Sequence, residues 1–317
     1  MSKVIVTGGA GFIGFHLCKR LLDEGHTVIC IDNLISGSQD NVKPFEGNKN
    51  YTFLKYDVTS PLPQDLSADF IFHLASPASP NHHSRVSYHA LPMETMMVNT
   101  TGTHNLLEFA LKNKARLLFT STSEAYGDPL EHPQKETYRG NVSTTGPRSV
   151  YDESKRFGET LCAYYSRDKQ LDVRIARIFN TYGPNMLVED KRMMVEFILE
   201  AIKGESITVF GDGTQTRSLC FVEDTVDGLM KLMFKDGLLG EVINIGAEDE
   251  HTVLEYAQIV KELTSSTSEI KLSEELPKDD PLRRKADISK ARQLLGWEPK
   301  VPLKEGLSKM IEYYKKI

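Results

Sequence analysis

The sequence predicts an α/β protein, a doubly wound parallel sheet followed by a smaller, mixed α/β lobe at the C-terminal end. Three observations predict it. Short β-branched runs alternate with amphipathic helical patterns through the first half, as parallel βαβ units do. A glycine-rich turn stands between the first such run and the first helix. After Gly183-Pro184 the alternation stops.

Residues 4–7, 27–32, 52–56, 70–74, 116–120 and 172–177 read as strands, because β-branched and aromatic residues suit a pleated, buried surface. Residues 13–24, 93–112 and 149–167 read as helices, with apolar side chains recurring at intervals of three and four. Further on, 193–203, 223–234, 252–263 and 288–295 read as helices joined by short strands and loops. The expected organisation is a Rossmann-type domain over 1–180, completed by a later segment near 210–245, and a discontinuous lobe over 181–317. No repeat or low-complexity stretch interrupts it, and the densest charge run, 278–285, reads as a solvated loop.

At 317 residues and 40% hydrophobic content the chain can bury a large core. A formal net charge of -6 argues against a nucleic-acid groove, which needs clustered Lys and Arg. The first residues run directly into a strand without a signal-peptide pattern, and no apolar run approaches a membrane span, so a cytoplasmic protein is expected. Cys18, Cys30, Cys162 and Cys220 lack paired spacing, which fits a reducing compartment and no disulfide or zinc site. His82 and His83 have no nearby Cys, Asp or Glu at ligand spacing, so no metal is expected and a loop role is preferred.

The turn Gly8-Gly9-Ala10-Gly11-Phe12-Ile13-Gly14 follows the first strand and opens the first helix. Its G-x-x-G-x-x-G spacing lets backbone approach a pyrophosphate at the helix N-terminus. Asp32 ends the second strand eighteen residues after Gly14, where a carboxylate can accept from ribose hydroxyls and repel a 2′-phosphate. NAD is therefore the expected cofactor, with Asn33, Val58, Leu74 and Ala75 at the ends of neighbouring strands beside it. Asp57 either reaches the adenine amine or caps a turn.

Tyr151 and Lys155 stand four apart on the helix beginning near 149, hence on one face. Thr122, Ser123 and Glu124 follow the strand at 116–120 and would meet that face at the carboxyl edge of the sheet. A phenol is a poor base at neutral pH unless neighbouring cations favour the phenolate. Lys155 and an oxidised nicotinamide would supply such charge, so that Tyr151 removes a hydroxyl proton while Thr122 or Ser123 holds the same oxygen.

With these residues placed, nearly the whole chain resembles the extended short-chain dehydrogenases that act on nucleotide sugars, and most closely the UDP-glucuronate decarboxylases. The segments His73-Leu74-Ala75-Ser76-Pro77-Ala78-Ser79-Pro80, Ser121-Thr122-Ser123-Glu124 and Gly146-Pro147-Arg148 before Tyr151-Asp152-Glu153 carry the match. So do Arg177-Ile178-Phe179-Asn180-Thr181-Tyr182-Gly183-Pro184, Gln215-Thr216-Arg217, Asp279-Asp280-Pro281 before Arg284, and Leu295-Gly296-Trp297-Glu298-Pro299. The resemblance implies oxidation of the sugar at C4, loss of CO2 from the resulting β-keto acid, and reduction at C4 again, turning UDP-glucuronate into UDP-xylose. It implies that Glu124 handles a proton at C5, the alternative being a strand-end glutamate that bonds backbone.

Substrate contacts implied by the resemblance are Asn180, Arg217 and Arg284 for the diphosphate and sugar, with Arg192 a further basic contact; a guanidinium fork suits phosphate. Phe210 would border uracil or, equally, sit in the core. Tyr88, four residues before Pro92, would touch the sugar carboxylate, although 81–87 makes the preceding loop longer than the family pattern. The resemblance also implies a homodimer packed through the helices around 93–112 and 149–167. Rival readings are a 4-epimerase, a 4,6-dehydratase, which resembles this site but with an acid in place of Ser123, and a non-catalytic NAD-binding scaffold.

Overall fold

The computed structural model describes residues 1–273 and 281–317. Its strands are β1 (Lys3–Thr7), β2 (Thr27–Asp32), β3 (Tyr51–Lys55), β4 (Phe70–His73), β5 (Arg116–Thr122), β6 (Val173–Ile178), β7 (Thr181–Tyr182), β8 (Ile207–Phe210), β9 (Thr216–Ser218), β10 (Cys220–Phe221), β11 (Val242–Ile245), β12 (Glu250–Thr252), β13 (Ile270–Ser273) and β14 (Arg283–Arg284). Its helices are α1 (Phe12–Asp23), α2 (Pro92–Met97), α3 (Thr103–Asn113), α4 (Ser149–Lys169), α5 (Met193–Lys203), α6 (Val222–Phe234), α7 (Val253–Thr264), α8 (Ser289–Leu295) and α9 (Leu303–Tyr314).

A seven-stranded parallel sheet in the order β11-β6-β5-β4-β1-β2-β3 forms the frame. Strand periodicity sorts its side chains between two layers. Val4, Val6, Val28, Cys30 and Leu118 face the layer that holds α1 and α6. Ile5, Ile29, Ile31, Leu117 and Phe119 face the layer of α3 and α4. The order turns back at β1 and β4, so their carboxyl ends open a crevice where ligands of such sheets bind.

The first apolar layer continues without a break into the C-terminal half, through Val195 of α5, Trp297 and Met310 of α9. There β8 pairs with β13, and β12-β9-β14 form a three-stranded sheet that brings Arg217 beside Arg284. No helix among the described residues is long and apolar enough to cross a membrane. The four cysteines are free and buried.

The single helix expected over 93–112 is divided. Between α2 and α3 the backbone takes a wider π turn over Val98–Gly102. The hydroxyl-rich run explains it: Thr100 and Thr103 donate to the carbonyls of Met96 and Asn99, both at 2.7 Å, while the Asn99 side chain is drawn to Ser76 and Ser154, both at 3.1 Å. The last helix, α9, was not expected, although Leu303, Leu307, Met310, Ile311 and Tyr314 have helical spacing.

Trp297 is 1% exposed and donates its indole N–H to the Asp224 carbonyl at 3.1 Å. Trp297→Ala removes a large buried ring and the hydrogen bond that its indole adds to a carbonyl of α6. It is expected to cost about 3–5 kcal/mol, read as a lower urea midpoint at unchanged m.

Candidate active site

A cleft of about 470 Å³ lies along the carboxyl edge of the sheet, between the ends of β1, β2, β4 and β5 and the start of α4. Its floor is the glycine turn. Gly8 has φ +73, donates to the Ile31 carbonyl at 2.8 Å, and would place a Cβ 2.6 Å from the Ala75 nitrogen. A Cβ on Gly14 would sit 2.1 Å from the Gly8 carbonyl oxygen. Side chains are thus excluded at both positions by backbone, and Gly11 N-caps α1 with no side chain bonded to that end. The uncapped helix N-terminus, reached across bare backbone, fits the pyrophosphate of a dinucleotide.

Asp32 is buried at the end of β2, where its carboxylate accepts from the Ala10 nitrogen at 3.1 Å and the Leu34 nitrogen at 2.8 Å. Burial raises its pKa and those two N–H groups oppose the rise. Asn33 donates to Asp57 at 3.0 Å, and Asp57 also accepts from the Thr59 nitrogen and hydroxyl at 2.9 and 2.8 Å. The Asp57 carboxyl, although burial works against it, is held below its ordinary range by Thr59 and Asn33. It caps a turn and lines the cleft at once, as Val58, Leu74 and Ala75 do beside it.

Strand β5 delivers Thr122, whose hydroxyl accepts from the Glu124 nitrogen at 3.1 Å and starts the short turn Ser123–Tyr126. From the facing helix, Tyr151 lies parallel to Tyr88, with ring centres 5.0 Å apart and planes at 9°. Lys155 donates to the Thr120 carbonyl at 2.8 Å and lies 5.0 Å from the centre of the Phe119 ring. Burial pulls the Lys155 ammonium down to about 7, Cys162 and Glu159 opposing. Burial pushes the Tyr151 phenol up to about 12, against a Thr122 hydrogen bond and the Arg192 charge. The expected lowering by Lys155 is tied to an oxidised nicotinamide beside it, which this balance leaves out. In the protein alone desolvation outweighs the neighbouring cations, and a cation entering with a ligand has to supply the rest.

Glu124 is gripped from two sides. Arg148 donates to it at 2.7 Å, and Arg284 forms a short ion pair with it. Burial alone would raise its pKa, but the two guanidinium groups hold the carboxyl far below its usual range. The simple strand-end role, bonding backbone, is not what the Glu124 carboxylate does. Arg148 was quoted in a motif but not assigned to the site; its position directly before α4, turned into the cleft, was the available signal.

The proposed substrate contacts divide into two groups. Tyr88, Asn180 and Arg192 line the cleft, and the Tyr88 hydroxyl is buried without a hydrogen-bond partner. Arg192 is paired with Asp190 and donates to the Ala78 carbonyl, both at 2.8 Å. Arg284 sits just behind the lining, with Ser123 at 3.4 Å and the Gly127 carbonyl at 2.8 Å. Phe210 and Arg217, on β8 and β9, lie outside the lining. Phe210 is 40% exposed, which overturns its reading as a core residue. Asp279 and Asp280 fall outside the described residues.

The long loop over 81–87 is laced to the opposite wall. Ser84, Ser79 and Asn81 donate to the carbonyls of Glu189, Asp190 and Lys191, each at 2.7 Å. His82 stacks on His89 with ring centres 3.7 Å apart, so the first histidine of the pair is a packing residue of that loop.

Because Lys155 binds its proton less tightly folded than unfolded, the unfolded chain holds more protons between about pH 7 and 10, and stability rises with pH there. Lys155→Met is expected to flatten that rise by up to about 1.4 kcal/mol per pH unit. Urea midpoints at pH 7.5, 8.5 and 9.5 would measure it.

Comparison with known proteins agrees with this geometry. Residues 4–246 match the family described as NAD dependent epimerase/dehydratase. UDP-glucuronic acid decarboxylase 6 of Arabidopsis thaliana is 50% identical over 314 residues, 99% of this chain and 89% of that protein. UDP-glucuronic acid decarboxylase 1 of Danio rerio is 47% identical over 313 residues, 99% of this chain and 72% of that protein. Among solved structures, UDP-glucuronic acid 4-epimerase from Bacillus cereus, in complex with UDP-glucuronic acid and NAD, superimposes with a TM-score of 0.87 at 29% identity, covering 99% of each chain. A glycine turn, an acid-ended second strand and a Tyr/Lys helix in one cleft, with likeness running along almost the entire sequence, make this chain a member of the NAD dependent epimerase/dehydratase family.

Proposed function

We propose that this protein is an NAD-dependent decarboxylase that converts UDP-glucuronate into UDP-xylose and carbon dioxide. The observation that carries the reading is the state of the acids beside Tyr151. Ser123 stands where a dehydratase would need a proton donor, and Glu124 is fixed as a carboxylate by Arg148 and Arg284, so the turn after β5 lacks the acid to expel a C6 hydroxyl. A substrate that carries its own leaving group, as CO2, needs no such acid. The decarboxylase names of the relatives at 46–50% identity support the same choice.

NAD would lie on the glycine turn, with Asp32 at its adenosine ribose, Asp57 and Val58 near the adenine, and Lys155 at the nicotinamide ribose. When bound it accepts hydride from the sugar C4 and later returns it. Tyr151 takes the proton of the C4 hydroxyl, and Thr122 with Ser123 holds that oxygen. When CO2 departs from C5, the electron pair moves onto the same oxygen, where these hydroxyl groups stabilise the growing charge. Glu124 guides the proton that C5 then receives. Asn180 and Arg192 hold the sugar diphosphate, with Arg217 and Phe210 further out toward the nucleoside.

Residues 1–180, completed by α6 and β11 from the segment near 210–245, form the dinucleotide-binding part in this reading, and the rest of 181–317, with β8 and β9, forms the nucleotide-sugar lobe. The enzyme works as a homodimer in the cytoplasm. Exposed Met93 and Met97 on α2 and Phe157 and Tyr164 on α4 support an apolar contact there, and the four free cysteines suit a reducing compartment.

Incubation with UDP-glucuronate and NAD is expected to give carbon dioxide and a pentose nucleotide. An isomeric hexuronate would mean epimerisation, and no product at all a scaffold. Tyr151→Phe is expected to lower kcat by about 10²–10⁴-fold while the Kd for NAD stays within a few-fold, because it deletes the base and spares the glycine turn. Fluorescence titration with NAD beside initial rates separates the two effects.

A further inference from the structure

When CO2 leaves C5, its bonding pair spreads over C5, C4 and the C4 oxygen as an enolate. The pentose carries two hydrogens on C5, so one proton has to arrive there. Glu124 cannot supply it, because Arg148 and Arg284 hold it as a carboxylate. Guanidinium groups do not give up theirs in proteins. Tyr151 carries the proton taken from the C4 hydroxyl and has to return it to the same oxygen. Asp152 does not line the cleft.

Tyr88 lines the cleft and is 1% exposed, and its ring lies parallel to that of Tyr151 with centres 5.0 Å apart. On the loop side it meets His89, ring centres 4.4 Å apart, and His89 stacks in turn on His82. The phenol is thus held beside the base by a row of rings. Its hydroxyl is buried and has no hydrogen-bond partner among the described residues. A buried donor without an acceptor is costly, and the open side of this ring is where a ligand enters. Burial pushes the phenol well above its ordinary range against the Arg148 charge, so its proton is present at any working pH.

We propose that Tyr88 is a catalytic residue, the acid that delivers a proton to C5 after CO2 has left. This rests on the decarboxylase reading above. The Tyr88 O–H bond breaks, its proton and the pair left by CO2 form the new C5–H bond, and the C4 carbonyl is restored. The phenolate left behind regains a proton from solvent before the next turnover. The carbon of a ketone enolate is a stronger base than a phenolate, so the transfer runs downhill even from a phenol raised by burial. Glu124 guides it by fixing the Arg148 charge that acts on the phenol. Because one fixed donor serves C5, the proton enters from one face only.

Turnover of UDP-glucuronate in D2O tests this with the wild-type protein and Tyr88→Phe, which keeps the ring and deletes only the hydroxyl. NADH absorbance, CO2 release and NMR of the pentose C5 are read together. The wild type is expected to place one deuterium on a single face of C5. Tyr88→Phe is expected to form NADH and release CO2 at close to the wild-type rate in a single turnover. Its pentose nucleotide should form about 10²–10⁴-fold more slowly, with NADH accumulating and deuterium on either face of C5. Wild-type pentose formation in the variant overturns the proposal, as does labelling of a single face at any rate. Equal slowing of NADH formation and of pentose formation also overturns it, because Tyr88 would then only support Tyr151. A wild-type protein that releases no CO2 from UDP-glucuronate overturns instead the reading on which the proposal rests.

Discussion

One buried carboxylate holds this cleft in shape. Glu124 belongs to the turn after β5, while its partners come from the start of α4 and from β14 in the C-terminal lobe. Removing either partner would leave a buried charge partly uncompensated, a loss of about 3–5 kcal/mol in comparable pairs. The sheet edge, the helix that carries Tyr151 and Lys155, and the lobe are therefore locked together at the point where chemistry takes place. A second network reinforces the joint: Ser121 and Arg177 both bond Glu159, and Tyr126 bonds Asn244, which reaches the carbonyls of Gln134 and Asp287.

Around that clamp the protein resists ionisation. Burial pushes Tyr151 up and Lys155 down, so neither side chain takes its charged form readily. Such a site is quiet until ligands bring charge into it. An oxidised nicotinamide would be a ligand of that kind, its positive charge favouring the phenolate once the cleft is filled.

Much of this was legible in the sequence because it depends on local periodicity. The seven glycine-turn residues, Asp32, and Tyr151 with Lys155 declare themselves by spacing relative to strands and helices, and the parallel sheet follows from the alternation. What escaped depends on contacts between distant residues. Asp152 stands in a quoted motif without a role of its own, and only the fold brings it within reach of the Glu124 and Arg284 charges. The π turn at 98–102 was hidden because an apolar pattern of period 3.6 carries no sign that Asn99 will be pulled sideways by Ser76 and Ser154. The sequence leaves Phe210 between a uracil contact and the core, because its neighbours do not say on which side of the strand end it stands, and it proves to be 40% exposed. Helix α9 was readable and overlooked, its pattern falling at the end of the chain beyond a proline.

The lacing of the long loop to residues 189–191 has a grammar of its own. Every donor is a side chain, from Ser79, Asn81 and Ser84, and every acceptor is a main-chain carbonyl. Any amino acid offers that carbonyl, so the information for closing this wall is stored almost wholly on one strand of the contact. For this contact the side chains of the acceptor stretch are free to change as long as its path is kept, Asp190 being tied separately to Arg192, while the three small polar donors are not. A loop of this type can be transplanted between relatives as a self-contained part, carrying its own fastening with it.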